Sequence, residues 1–173
     1  MLRDQVQRFI ADKVAPNGDQ WETDGLTPRA VLQEMGTLGF FGVRHAEQYG
    51  GAGMSTLGSV VLAEELGRST FGGFAVTVLV HTDMASPHLA NAGTREQNAK
   101  YMPGIISGQT ITAVAVTEPN AGSDVARLKT RAVKDGDTWV LNGTKMFITN
   151  GVHGDLFFVA ARTGPDSRAS KGL

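Results

Sequence analysis

The apolar residues of this chain change period once, and that change limits the folds open to it. In the first part they recur at helical spacing; from Thr110 on the pattern turns β-rich, with "TITAVAVT" and "DLFFVAAR" reading as strands. The boundary falls near Ser107 to Gln109. Helices followed by strands, rather than alternating with them, predict an α+β chain with segregated layers: an all-helical domain over 1–109 and a β domain over 110–173.

Within the first part, Leu2, Val6, Phe9, Ile10 and Val14 share one helical face that Pro16, Asn17 and Gly18 end. A second helix is expected over Pro28 to Leu38, with Thr27 as N-cap and Pro28 at the first helical position. After the glycine-rich "GFFGVRHAEQYGGAGMS", Ser55 is placed to cap a helix holding Leu57, Val60, Val61, Leu62 and Leu66, with a Glu64–Arg68 pair. Phe74 to Ala92 reads as a buried helix that Pro87 must kink, stopped by Gly93. Thr94 and Gln97 have capping-box spacing ahead of another helix that contains Pro103. In the second part, "DGDTWVLNGTKMFITNG" carries Asp-Gly and Asn-Gly turn pairs. The polar tail "RTGPDSRASKGL" reads as a loop leading to further protein.

Composition removes several functions. The 173 residues carry a net charge of −1, so no basic field points to nucleic acid or an anionic membrane. There is no cysteine, which excludes disulfides, thiolate nucleophiles and Cys-based metal sites. The most apolar stretch, "GGFAVTVLV", is far short of the roughly 20 residues of a membrane helix. The N-terminus lacks the pattern of a signal peptide, so a soluble, cytoplasmic protein is expected.

The common catalytic motifs are absent: no G-x-S-x-G, no phosphate-loop motif, no H-E-x-x-H. "GGAG" at Gly50 to Gly53 follows no convincing strand and reads as an ordinary loop. His81, Asp83 and His88 resemble a metal cluster, but Pro87 spoils the helical spacing, so satisfied or surface histidines are the expectation and no metal is assigned. His45 and His153 stand alone.

Two segments remain. In Thr117 to Asp124 a strand delivers Thr117, Pro119 ends the ladder, and Ala121, Gly122 and Ser123 leave backbone N–H groups open; this is either a corner for a polar ligand or a tight turn capped by Asp124. In "KMFITNG", read as a strand, Lys145, Phe147 and Thr149 share one face and Met146, Ile148 and Asn150 the other. An aromatic beside a hydroxyl suits a flat heteroaromatic ring; a cross-strand aromatic in a β core is the alternative.

Taken together, "AVTEPNAGSD" and "LNGTKMFITNG" resemble the acyl-CoA dehydrogenase family, and "LGFFGV" and "EQYGGAG" in the helical part are similar to it too. The resemblance covers essentially the whole chain. It implies a helical N-terminal domain, a middle β domain of which about half is present, and a C-terminal helical domain that this sequence does not contain. It implies FAD as cofactor, acyl-CoA as substrate, electron-transfer flavoprotein as electron acceptor and a homotetramer of the full-length protein.

By the same resemblance, Val114, Ala115, Val116 and Thr117 lie along the flavin, and Ser123 meets both cofactor and acyl-CoA. Phe147, Ile148 and Thr149 match the segment that covers the isoalloxazine, where many members have Trp in place of Phe147. The implied reaction removes the α proton of the thioester and passes the β hydride to flavin, giving a trans-2-enoyl-CoA. The family's catalytic Glu belongs to the C-terminal domain, so no catalytic residue is assigned here and the chain alone is expected to be inactive. Glu118 reads as a hydrogen-bonding or ion-pair residue rather than the base. An acyl-CoA oxidase of the same fold and a non-catalytic module that kept it are the rival readings.

Overall fold

A computed structural model describes residues 1–164; the polar tail from residue 165 on, and any role for it, lies outside the described residues. α1 (Leu2–Phe9) continues into a π-helical turn, Ile10–Val14, and buries Val6, Phe9 and Val14 as the spacing requires. It packs on α4 (Thr56–Arg68), where Arg3 and Gln7 meet the fully buried carboxylate of Glu65. A buried charge is tolerated there because it is paired.

The sequence reading missed α2 (Gly18–Asp24). Pro16, Asn17 and Gly18 do not end the helical path but restart it, with Asn17 Nδ2 donating to the Lys13 carbonyl at 2.8 Å. Its sequence, GDQWETD, has no apolar stripe to betray it. α3 (Arg29–Thr37) begins one residue later than expected: Pro28, in extended conformation, is the N-cap, and Thr27 is outside. A Cβ at Gly36 would stand 2.3 Å from the backbone of Ser107, so this glycine lets α3 touch the end of the helical part.

α4 follows Ser55, though that serine's hydroxyl makes no capping bond; the Glu64–Arg68 pair forms at 3.3 Å. Leu57 and Val60 face outward, because the buried seam runs through Gly58, Leu62, Glu65 and Leu66. The glycine-rich segment closes on itself: the amides of Ala52, Gly53 and Met54 bond to carbonyls of Gly42, His45 and Val43 at 2.8, 3.0 and 2.8 Å. "GGAG" is thus a packed loop with its donors in use.

The run from Phe74 to Ala92 is interrupted as Pro87 demands. α5 (Gly72–Leu79) passes through a π-helical turn, Val80–Ala85, into α6 (Ser86–Ala92) with Pro87 in its first turn. The wider register sends the Ser86 N–H to the His81 carbonyl, and the freed Thr82 carbonyl accepts the Ser86 hydroxyl at 3.1 Å. α7 (Arg95–Ile106) shows the expected capping box, Gln97 N–H to Thr94 Oγ1 at 3.2 Å and Thr94 N–H to Gln97 Oε1 at 2.8 Å.

In the second part, β1 (Thr112–Ala115) pairs in parallel with β4 (Leu156–Val159), Thr112 opposite Leu156 and Ala115 opposite Val159. Between them, β2 (Arg131–Asp135) and β3 (Thr138–Asn142) form a hairpin around Gly136 and Asp137, with Gly136 at φ +57°. The Asp-Gly signal therefore marks a true turn. The Asn142-Gly143 pair does not, and 143–150 is not a strand.

One core fills the helical part, built on Val6, Phe40, Phe41, Leu62, Leu66 and Val78 and reached by Ile111 at the entry to β1. A smaller cluster of Leu89, Met102, Ile105 and Ile106 takes Leu156 and Phe158 of β4 against α6 and α7. The α+β arrangement, helices first and strands after, is as read from the sequence. Among the described residues no helix is long and apolar enough to cross a membrane.

Candidate functional site

The chain leaves β1 through Val116 and Thr117 and at once reverses. Glu118 and Ala121 exchange backbone hydrogen bonds, at 2.9 and 3.1 Å, across the Pro119-Asn120 apex, where proline's missing donor costs nothing. The Glu118 side chain turns inward and is 6% exposed. Its carboxylate accepts from the backbone N–H of Lys129 at 2.6 Å and of Thr130 at 2.9 Å, and from Lys145 Nζ at 2.9 Å. Burial acts to raise its pKa, but hydrogen bonds from Thr130, Lys129 and Lys145 outweigh it and pull it down to about 2. Glu118 is therefore an anionic anchor, the ion-pair role expected of it.

Lys145 also donates to the Val116 carbonyl at 2.8 Å, and the Met146 N–H bonds to the Thr117 carbonyl at 3.0 Å. The two segments singled out in the sequence thus run side by side. The strand alternation assigned to 145–150 does not hold. Phe147 adopts the left-handed region at φ +56° and Asn150 at φ +63°, so the chain twists instead of pleating. Lys145 points in to Glu118, Phe147 stands 86% exposed, and Ile148 and Thr149 are half-buried against the helical part. Ile148 lines a cleft of about 560 Å³ with Arg29, Thr77 and Asp155. Thr149 lines one of about 240 Å³ with Trp21, Phe74 and Thr77.

Of the remaining candidates, Ala115 is buried, whereas Val114, Val116 and Thr117 are half-buried and Ser123 is exposed. Gly122 is exposed too, and a Cβ built there meets no atom within 4 Å, so its backbone is open to an approaching molecule. Asp124 stands at the head of a short 3₁₀ turn, Val125–Arg127, without a side-chain cap.

Residues 1–109 match the profile of the acyl-CoA dehydrogenase N-terminal domain, and residues 113–173 that of the acyl-CoA dehydrogenase middle domain. The chain belongs to the acyl-CoA dehydrogenase family. It is 38% identical over 98% of its length to the mouse mitochondrial long-chain specific acyl-CoA dehydrogenase, of which it spans 39%. Against the crystal structure of an acyl-CoA dehydrogenase from Geobacillus kaustophilus the TM-score is 0.92 at 41% identity, covering 96% of this chain and 43% of that one. Against the Bacillus anthracis acyl-CoA dehydrogenase solved in complex with FAD it is 0.88 at 34% identity, covering 94% and 29%. The chain thus spans about two fifths of the length of the mouse, rat and pig long-chain relatives it matches.

Contacts that sequence reasoning did not find, buried at His81 and more exposed at Arg29, dock the β segment on the helices. His81, 1% exposed, donates from Nε2 to the Ile105 carbonyl at 3.0 Å and accepts the Thr112 N–H at Nδ1 at 3.0 Å. The Thr112 hydroxyl donates back to the His81 carbonyl at 3.2 Å. Those partners specify the neutral ring with its proton on Nε2, and burial pushes the pKa down to about 4. The expectation of a satisfied histidine holds; among the described residues no group of three His, Asp or Glu side chains is placed to hold a metal. His45, alone in the sequence, is buried with Nε2 3.0 Å from the Ser86 hydroxyl. Asn150 Nδ2 ties the carbonyls of Thr77 and Thr112, both at 3.1 Å, and Arg29 grips Asp155 at 2.5 and 3.0 Å. Nothing local announces these partners, because they lie 24 to 126 residues apart.

Proposed function

We propose that this chain is the N-terminal portion of an FAD-dependent acyl-CoA dehydrogenase that converts an acyl-CoA thioester to its trans-2-enoyl-CoA. The observation that carries the reading is the Met146–Thr117 backbone bond, which sets the Phe147–Thr149 segment beside Thr117. The residues suit a planar ring. Val114, Val116 and Thr117 keep part of their surface open, and Phe147 holds a fully presented aromatic face on a backbone conformation that costs of order 1–3 kcal/mol in a non-glycine residue. Strain combined with exposure of an apolar ring favours a partner for that face.

When bound, FAD supplies the hydride acceptor. This chain's part is positional: Thr117 and Thr149 would offer hydroxyls to the ring, Ile148 adds apolar surface beside them, and Ser123, next to the open backbone of Gly122, would donate its hydroxyl to cofactor or thioester oxygen. No proton transfer is assigned to Glu118, whose carboxylate is taken up by three anchoring donors, the amides of Lys129 and Thr130 and the Lys145 ammonium. The base belongs to a C-terminal helical domain, as the fraction of each relative spanned by this chain supports. The same reading divides the chain into a helical domain over 1–109 and a partial middle β domain over 110–173, makes the full-length protein a homotetramer and electron-transfer flavoprotein its oxidant. A cytoplasmic location is part of it, although the mouse relative is mitochondrial.

Titrating the 173-residue chain with FAD while following flavin fluorescence tests the reading. Weak binding is expected, with quenching that disappears in Phe147→Ala and no bleaching by acyl-CoA. No response to FAD at any concentration rejects the flavin wall; bleaching by acyl-CoA places a working base inside this chain.

A further inference from the structure

Glu118 sits where three stretches of backbone meet. Its main chain belongs to the 116–118 exit from β1, its carboxylate holds the amides of Lys129 and Thr130, and its ion pair with Lys145 reaches the 145–149 segment. The bonds to Lys129 and Thr130 close the base of the excursion that carries Gly122 and Ser123. Those to Lys145, with Met146 on Thr117, fix the start of the segment that carries Phe147, Ile148 and Thr149. The pair is dry, with side-chain exposures of 12% for Lys145 and 5% for Glu118.

We propose that Glu118 is a positioning residue that couples the Ser123 loop to the Phe147–Thr149 segment through Lys145, so that the two parts of the wall are held in one mutual geometry. The proposal rests on the flavin reading for its purpose but not for its mechanics. The charges make the coupling two-way. Without Lys145 the Glu118 carboxylate is left buried with only neutral donors, which favours its protonation; a protonated carboxyl then accepts less strongly from Lys129 and Thr130, loosening a loop that Lys145 never touches. A pair that only added bulk stability would loosen its own neighbours and leave that loop as it was.

Amide hydrogen exchange on the intact 173-residue chain tests this, with Lys145→Met, Glu118→Gln and the charge-keeping Lys145→Arg compared against the parent. In Lys145→Met, protection at Met146 and at Thr130 is expected to fall together, on the order of tenfold or more, while amides of α7 keep theirs. Measured relative to the amides of α7, which carry any global loss of stability, the loss at Thr130 should deepen as the pH is lowered from 6 to 4 in this variant and not in the parent. Lys145→Arg should restore part of both. Unchanged Thr130 protection in Lys145→Met, or a loss without pH dependence, overturns the coupling. If Lys145→Met proves unfolded, Glu118→Gln decides: it must loosen both Met146 and Thr130, and an effect at one alone overturns the proposal. In parallel FAD titrations, a parent that responds to FAD and a Lys145→Met chain that responds equally well would show a coupling without use in cofactor binding. A parent that ignores FAD would instead strike the flavin reading and leave the exchange data to judge the coupling.

Discussion

The two parts of the molecule treat apolar side chains in opposite ways. In the helical part Phe40, Phe41, Met35 and Leu66 are at most 1% exposed and share one core. In the β2–β3 hairpin Val133, Trp139, Val140 and Leu141 are 45–56% exposed, on both faces of a two-stranded ribbon. A helical bundle closes on itself once each amphipathic face finds another, whereas a lone hairpin has no layer to bury. The segments 114–117 and 145–149 stand at the seam between these regimes, docked on the helices at one end and exposed at Phe147. That openness fits the proposed role as a cofactor wall, and the segments are anchored by His81, Asn150 and Glu118.

The sharpest way to break this contrast is to truncate one aromatic in each part. Phe41→Ala should cost about 3–5 kcal/mol in urea unfolding of the chain. Trp139→Ala should fall within about 0.5 kcal/mol, as for surface positions; a large loss there would show that the hairpin already has a buried partner.

Acid should strip the anchors in order. His81 has a folded pKa below its ordinary value, so the unfolded chain binds the extra proton and stability falls as pH drops from 6.5 towards 4. The full loss is about 3 kcal/mol for this buried ring. Glu118, with a folded pKa of about 2 against an ordinary 4.5, adds its own loss only as pH falls through that lower window. Stability measured from pH 7 to 4 should therefore slope in the parent chain and flatten in His81→Gln. An unchanged slope in that variant would assign the acid sensitivity to other groups.

Smaller effects test the local signals. Thr94→Ala removes the capping box of α7 and should lower stability by about 1 kcal/mol, seen as a lower midpoint with unchanged m-value. Phe147→Gly should go the other way, gaining up to about 1 kcal/mol by relieving the positive φ while losing the flavin quenching expected of the parent. Stabilisation together with lost quenching is the signature of a residue held in a strained pose for a ligand.

Much of the helical part was legible. The α4 start after Ser55, the break at Pro87 and the Thr94 box are short-range effects of caps, proline and spacing. α2 was not, since a polar heptapeptide with a single tryptophan has no periodic stripe. In the β part the Asp-Gly turn was readable, but the strand read into "KMFITNG" failed at Phe147, whose left-handed backbone no propensity favours. Of the candidate site, the residues were found by resemblance and their neighbourhood by coordinates. His81 and Lys145 gave no sign of their partners.

The sequence by itself determined the order of layers, the capping box at Thr94, the Asp-Gly hairpin turn and the family, because each of these is written in spacing and motif along a few tens of residues. Only the tertiary structure decided that Lys145 turns inward and Phe147 outward, which donors anchor Glu118, and which partners hold His81 as a neutral joint. Those outcomes depend on burial and on donors contributed from 11 to 31 residues away, and no local pattern encodes which distant carbonyl or amide a buried side chain will meet.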